Sequence, residues 1–504
     1  MRSARADFLV IVVGRILQVA YAIAAVRLVT AVLAADQVGR RDLVLSVTSW
    51  FALLLISPVG NFLNRHGVEW QFEGRLLEVL RRFGFFVLSV TAVAAIVVTV
   101  LSLTSGIGTP ISIAWLLCLV AGSLFVGTLT TQFTSLLNII GYRGSYVVLA
   151  NVASWFGLVL SLALTSWRAR NAEYWLSGIL LGQLLALAGS VFVLRRVETR
   201  PANELLASGS GHSPRFDVRS VIQFSLPLIT STVCYWAQTS GYRFILAGRT
   251  DVATVGLLTV GLTVASAPLA MFDSMFSDYY RPFFYKAIAF STTEGRADAW
   301  NRYASAYFPA ILLAAAFLGL AGPFVARFLV SAPFRSVAWL ASWGAVLQAT
   351  IGIYSVYALL SHASLNTRVL IRPNAIGAAV TLIGVFATAR WEPLLGPAAA
   401  MCLGMLVTLI DTARILHWGF EIRLPWRRLG LATLMAMPLV ASVMVLRQRY
   451  HNPTELQAIT VLVGGAFYLI LAQFVLARDW LFRRPPPAIA SAVAMVGPPD
   501  SSGL

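Results

Sequence analysis

The sequence predicts an all-α polytopic membrane protein, with about 14 transmembrane helices in two pseudo-symmetric six-helix lobes plus two C-terminal helices. Three observations predict it. Of 504 residues, 58% are hydrophobic and only 12% charged, and the mean hydropathy is +0.77; soluble domains carry about 25% charged residues. Apolar runs of roughly 20 residues, enough to cross a bilayer, recur from end to end. A pattern of arginine, short loop and Val-Gly heads two successive blocks of six such runs.

The elements follow in order from apolar windows bounded by charge or by Pro/Gly clusters. Spans are expected near 8–33, 43–64, 83–104, 112–138, 146–166 and 175–194, then 221–247, 253–275, 303–325, 337–361, 371–389, 394–413, 429–446 and 457–477. The organisation is therefore an N-terminal six-helix lobe (1–195), a cytoplasmic linker (196–220), a C-terminal six-helix lobe (221–415), two additional transmembrane helices (416–482) and a disordered cytoplasmic tail (483–504). The linker, "RVETRPANELLASGSGHSPRFDVRS", is the one interior stretch of loop composition. The N-terminus is basic and then apolar like a signal peptide. Its apolar run continues to Leu33 without a small-residue cleavage site, so it reads as a retained first helix.

Loop charge sets the orientation. Arginines and lysines crowd the segments that are cytoplasmic when the N-terminus is inside, such as Arg75, Arg81 and Arg82, then Arg195, Arg196 and Arg200. Positive residues stay on the cytoplasmic side, which places both termini there. Trp167, Trp175, Trp391, Trp418, Trp426 and Trp480 fall at span ends, where interfacial Trp belongs.

The formal charge of +17 is spread over short loops rather than gathered on a soluble face, which argues against nucleic-acid binding. Cys118, Cys234 and Cys402 lie in apolar runs without CxxC spacing, and the five histidines are scattered. Neither a metal nor another cofactor is expected. No Ser/His/Asp or paired-carboxylate constellation is evident, so the chain is not expected to be an enzyme. A membrane glycosyltransferase or glycan polymerase is the less favoured alternative.

Intramembrane arginines demand an explanation, since a charge at the bilayer centre costs about 3 kcal/mol on insertion scales. "RLVTAVLAADQVGRRDLVLSV" begins at Arg27 and "RFILAGRTDVATVGLLTVGLTV" at Arg243. Each places an arginine near the outer end of a span and a Val-Gly pair, at Gly39 or Gly256, on entry to the next. With six spans per block the two copies share one orientation, as in the parallel halves of several transporters.

These stretches, with "FSLPLITSTVCYWAQTSGYRFILAG" (224–248) and "NFLNRHGVEWQFEGRLLEVLRR" (61–82), resemble polysaccharide (lipid-linked oligosaccharide) flippases of the multidrug/oligosaccharidyl-lipid/polysaccharide exporter superfamily. Ala34 replaces the usual turn glycine, and Arg40 and Arg41 replace the apolar-Tyr pair after Gly39. The resemblance implies flipping of a polyprenyl-pyrophosphate-linked oligosaccharide across the bacterial cytoplasmic (inner) membrane by alternating access. It also implies glycan polymerase or assembly proteins as partners, besides that substrate and the lipid bilayer. A multidrug exporter of the same superfamily is the alternative; it would favour acidic, aromatic cavities.

Under this reading the substrate-binding candidates are Arg15, Gln18, Arg27, Asn61, Asn64, Arg65 and Arg243. A guanidinium pairs bidentately with phosphate oxygens and stays charged. Arg15 lies about 10 Å inside the inner end of its span, Arg27 about 9 Å and Arg243 about 6 Å inside their outer ends, depths that a snorkelling side chain can partly bridge. Gln18 shares the face of Arg15, whereas Arg27 is turned about 120° away on a straight helix. Pro58 and Gly60 permit a helix break that would present Asn61, Asn64 and Arg65; an ordinary interfacial helix end is the alternative. Asp273, near Pro268, is the candidate site for a coupling proton or Na⁺.

Overall fold

The computed structural model describes residues 4–72, 74–104, 112–140, 142–198, 226, 229–289, 293–363, 367–419, 421–450 and 453–481. Most of the linker and the whole C-terminal tail from 482 lie outside the described residues. Helices account for nearly all of the rest. The first block comprises α1 (Ala4–Val32), α2 (Ala35–Phe51), α3 (Ser57–Phe72), α4 (Leu76–Thr104), α5 (Ile113–Gly122), α6 (Thr128–Ile139), α7 (Arg143–Trp167) and α8 (Ala172–Glu198). There follow α9 (Tyr242–Arg249), α10 (Val252–Ala289), α11 (Thr293–Leu320), α12 (Gly322–Leu329), α13 (Ala341–Ala363), α14 (Ile371–Thr388), α15 (Leu395–Gly419), α16 (Trp426–Arg449) and α17 (Glu455–Leu481).

Among the described residues, twelve stretches are long and apolar enough to cross a membrane. α1, apolar over Ile16–Val32, and the helical residues 229–249 occupy the first and seventh spans expected from sequence. The architecture is all-α and polytopic, as the apolar periodicity requires. Three spans contain a π-turn, at Ala52–Ile56, Ser123–Gly127 and Ala237–Gly241. The first joins α2 to α3, so the stretch around Pro58 and Gly60 is not a helix break; one span runs unbroken over Ala35–Asn64. Pro58 is tolerated because the wider turn before it rearranges the hydrogen-bond ladder it would interrupt.

The second span also starts earlier than expected. Arg40, Arg41 and Asp42, which precede the span expected near 43–64, belong to α2. Interfacial tryptophans behave as expected at Trp167, Trp391, Trp418 and Trp426, all largely exposed, but Trp175 is buried. Its backbone carbonyl accepts a 2.7 Å bond from Ser161 Oγ, where α7 and α8 meet through small residues: a methyl on Gly182 would lie 2.3 Å from the Gly157 nitrogen. Such backbone-close contacts are how helices associate where burial from water gives no drive.

The chain packs as two compact units, one of residues 1–263, 329–340 and 370–408, the other of 264–328, 341–369 and 409–504. In the first, Phe51, Phe62, Trp70, Phe83 and Phe133 belong to one buried cluster. In the second, Trp300, Tyr303, Tyr307, Phe308 and Tyr357 do.

Candidate anion site at the start of the second span

Asp42 and Ser46 lie one turn apart on the same face of α2, and both are buried, at 3% and 0% exposure. The Arg41 guanidinium donates to Asp42 Oδ1 from Nη2 at 2.7 Å and from Nε at 3.0 Å. Ser46 Oγ donates to the Asp42 carbonyl at 2.7 Å and accepts from Arg243 Nη1 at 2.7 Å. Trp236 Nε1 donates to Ser49 Oγ at 2.9 Å and to the Ser46 carbonyl at 3.2 Å. Its ring meets Trp50 edge-on at 4.6 Å. The π-turn at Ala237–Gly241 falls between Trp236 and Arg243; the extra residue in its turn changes which face each presents, a device that recurs at functional sites.

Arg41 thus bonds the one carboxylate of the cluster and Arg243 the Ser46 hydroxyl one turn on, while Arg40 pairs with Asp36 at 3.8 Å. The core of the cluster carries one net positive charge in a low-dielectric setting. Its hydrogen bonding is also incomplete: Asp42 Oδ2 and Arg243 Nε are buried without a protein partner. Buried polar atoms are rarely left so, and a guanidinium Nε without a partner can donate to an anion.

One turn before this cluster, the two Val-Gly pairs meet. A methyl on Gly39 would lie 2.0 Å from the Val252 carbonyl oxygen, and one on Gly256 would lie 2.1 Å from that of Ala35. Each carbonyl belongs to the residue four before the opposite glycine, so the contact is reciprocal. Only glycine permits this approach of α2 to α10.

The other candidates are placed variously. Arg27, half-buried, donates from Nη1 to the Val330 carbonyl. Thr30, one turn on, accepts from the Ser331 amide at 3.1 Å. Asn64 donates to Gln132 Oε1 and Ser135 Oγ, both at 3.4 Å, on α6. Gln18 is half-buried on α1. Asp273, in the second unit, accepts a 2.5 Å bond from the Tyr307 hydroxyl. The side chains of Arg15, Asn61 and Arg65 lie outside the described residues. Of the candidates whose side chains are described, only Arg243 enters the cluster with Arg41 and Asp42. Sequence reading missed Arg41, Asp42 and Ser46 as site residues. The signal was the charged triplet after Gly39, of which Arg40 and Arg41 depart from the flippase pattern and which precedes the span expected from 43.

The class that this helical arrangement defines is a polytopic all-α membrane fold shared with solved flippase and multidrug transporter structures. Among solved structures, the lipid II flippase MurJ in an inward closed conformation is similar to this chain, with a TM-score of 0.60 at 12% identity over 95% of this chain and 100% of that one. A multidrug resistance MATE family transporter in an inward-facing conformation gives 0.51 at 12% identity over 80% and 96%. A MATE transporter of Vibrio cholerae gives 0.52 at 13% identity over 80% and 94%. No protein-family model matches the sequence, and no curated protein does.

Proposed function

We propose that the chain is a transporter that flips a polyprenyl-pyrophosphate-linked oligosaccharide across the cytoplasmic membrane by alternating access. The observation that carries this reading is a cluster with two arginines and one carboxylate, Arg41 bonded to Asp42 and Arg243 to Ser46 one turn on. A pyrophosphate cannot cross hydrocarbon unaided, and a site with excess guanidinium charge is suited to receive it. The lipid tail stays in the bilayer while the headgroup passes. The halves 1–195 and 221–415 act as the moving lobes, both termini are cytoplasmic, and loading is from the cytoplasm.

The test is reconstitution into liposomes carrying a fluorescent polyprenyl-pyrophosphate glycan in one leaflet. Wild type should accelerate its transfer to the other leaflet, and Arg243→Ala should reduce the rate at least tenfold at equal insertion. Equal rates in protein-free and wild-type liposomes would refute the reading.

A second reading, export of organic cations, is favoured by one feature. Asp273 is held by Tyr307, whose ring contacts Tyr303 at 5.7 Å and Phe276 at 5.8 Å. A carboxylate among aromatic faces suits an organic cation. Efflux of a cationic dye that is lost in Asp273→Asn, with no glycan flipping by wild type, would decide for it.

A further inference from the structure

Arg41 and Asp42 are neighbours in the chain, yet they face different surroundings. The Arg41 side chain is 20% exposed and that of Asp42 4%. Arg41 is therefore the reachable member of the pair, with the carboxylate behind it. Its Nε and Nη2 both donate to one oxygen, Oδ1, while Oδ2 is buried without a partner. A carboxylate that is essential only for folding would be expected to use both oxygens, since an orphaned buried acceptor costs about 1–3 kcal/mol. On the other side, Ser46 hands its hydroxyl to Arg243, whose Nε is also orphaned. One carboxylate therefore stands beside two cations and bonds only Arg41 directly.

We propose that Asp42 is a built-in competitor for the anion: it holds Arg41 while the site is empty and yields it to a diphosphate group that enters. The inference rests on the proposed anionic substrate and adds the residue that sets how tightly that substrate is held. With two guanidiniums and no carboxylate, the site would bind a diphosphate so firmly that release becomes slow. The carboxylate weakens the bound state by repulsion and by recapturing Arg41, which keeps turnover fast. A transporter gains nothing from affinity that persists through the release step, as an enzyme gains nothing from binding substrate and transition state equally.

The experiment uses full-length protein, with wild type, Asp42→Asn and Asp42→Glu compared in two measurements. The first is the dissociation constant for a short-chain polyprenyl diphosphate and, separately, for inorganic pyrophosphate. The second is the maximal flipping rate in liposomes. Asp42→Asn should bind the polyprenyl diphosphate at least tenfold more tightly and flip at least tenfold more slowly, while Asp42→Glu stays within about threefold of wild type on both. Tightening for both probes assigns recognition to the diphosphate alone, and tightening for the lipid form only adds the tail.

Unchanged or weaker binding by a folded Asp42→Asn protein overturns the proposal and leaves the flippase reading intact. Failure of wild type to bind either probe overturns both. If Asp42→Asn does not insert, Asp42→Ser carries the same expectation. If neither uncharged variant inserts while Asp42→Glu does, Asp42 is a structural charge and the proposal falls.

Discussion

Ser46 shows how much a single hydroxyl can organise. It is fully buried and joins α2 to Arg243, while its carbonyl receives Trp236. Ser46→Ala removes the acceptor and leaves a buried guanidinium edge unpaired, a loss on the order of 1–3 kcal/mol. The expected outcome is a melting temperature lower by several degrees in detergent with diphosphate binding weakened, measured by thermal denaturation and titration on the same preparation. A melting temperature equal to wild type would show that Arg243 finds another partner. Arg15 poses the corresponding question for α1. If it contacts the pyrophosphate, Arg15→Ala abolishes glycan export at normal insertion and Arg15→Lys restores only part, because an ammonium lacks the bidentate fork. If Arg15 only snorkels, lysine substitutes fully and leucine is tolerated. Export in cells lacking the native gene, normalised to inserted protein, separates the two; full export by Arg15→Leu would remove Arg15 from the site.

At the scale of elements, the meeting of α2 and α10 is a seam of backbone against backbone. Reciprocal carbonyl contacts at Gly39 and Gly256 leave no room for a side chain. Gly39→Val should therefore separate the starts of the two helices. A cysteine introduced at Asp36, in the first turn of α2, should then label faster with an impermeant maleimide added outside, and Gly256→Val should act in the same direction. Unaltered labelling in both would mean that the seam is not closed in the membrane. The early start of α2 shows why helix limits were misjudged. Arg40, Arg41 and Asp42 look like loop residues because charge is costly in hydrocarbon, but Arg41 and Asp42 pair with each other and Arg40 with Asp36. The Arg40–Asp36 pair is at i,i+4 spacing, which a helix brings together.

For the whole molecule, alternating access predicts opposite behaviour at two sites. Asp36 is expected on the outer side and Asn64 towards the inner end of the same span, Ala35–Asn64. Cysteines placed singly at these positions should change accessibility in opposite senses when the transporter is held in each of its two states, for example by cross-linking. Parallel changes would exclude a rocking mechanism.

Sequence by itself determined the membrane class, the order of the spans and the two Val-Gly pairs. Each of these follows from local composition: apolar length sets a span, charge ends it, and glycine marks a close approach. The spans found at Arg143–Trp167 and Ala172–Val197 differ by only a few residues from those expected near 146–166 and 175–194. Tertiary structure alone decided which charges meet. Arg243 lies 197 residues from Ser46, and no spacing rule links them. Arg27, its counterpart in the repeat, turns instead to the Val330 carbonyl. Trp175, with the composition of an interfacial anchor, is buried because α7 and α8 approach through small residues. A periodic pattern reveals which face of a helix is apolar, whereas the partner of a buried polar group depends on contacts between distant parts of the chain, and these exist only once the helices have packed.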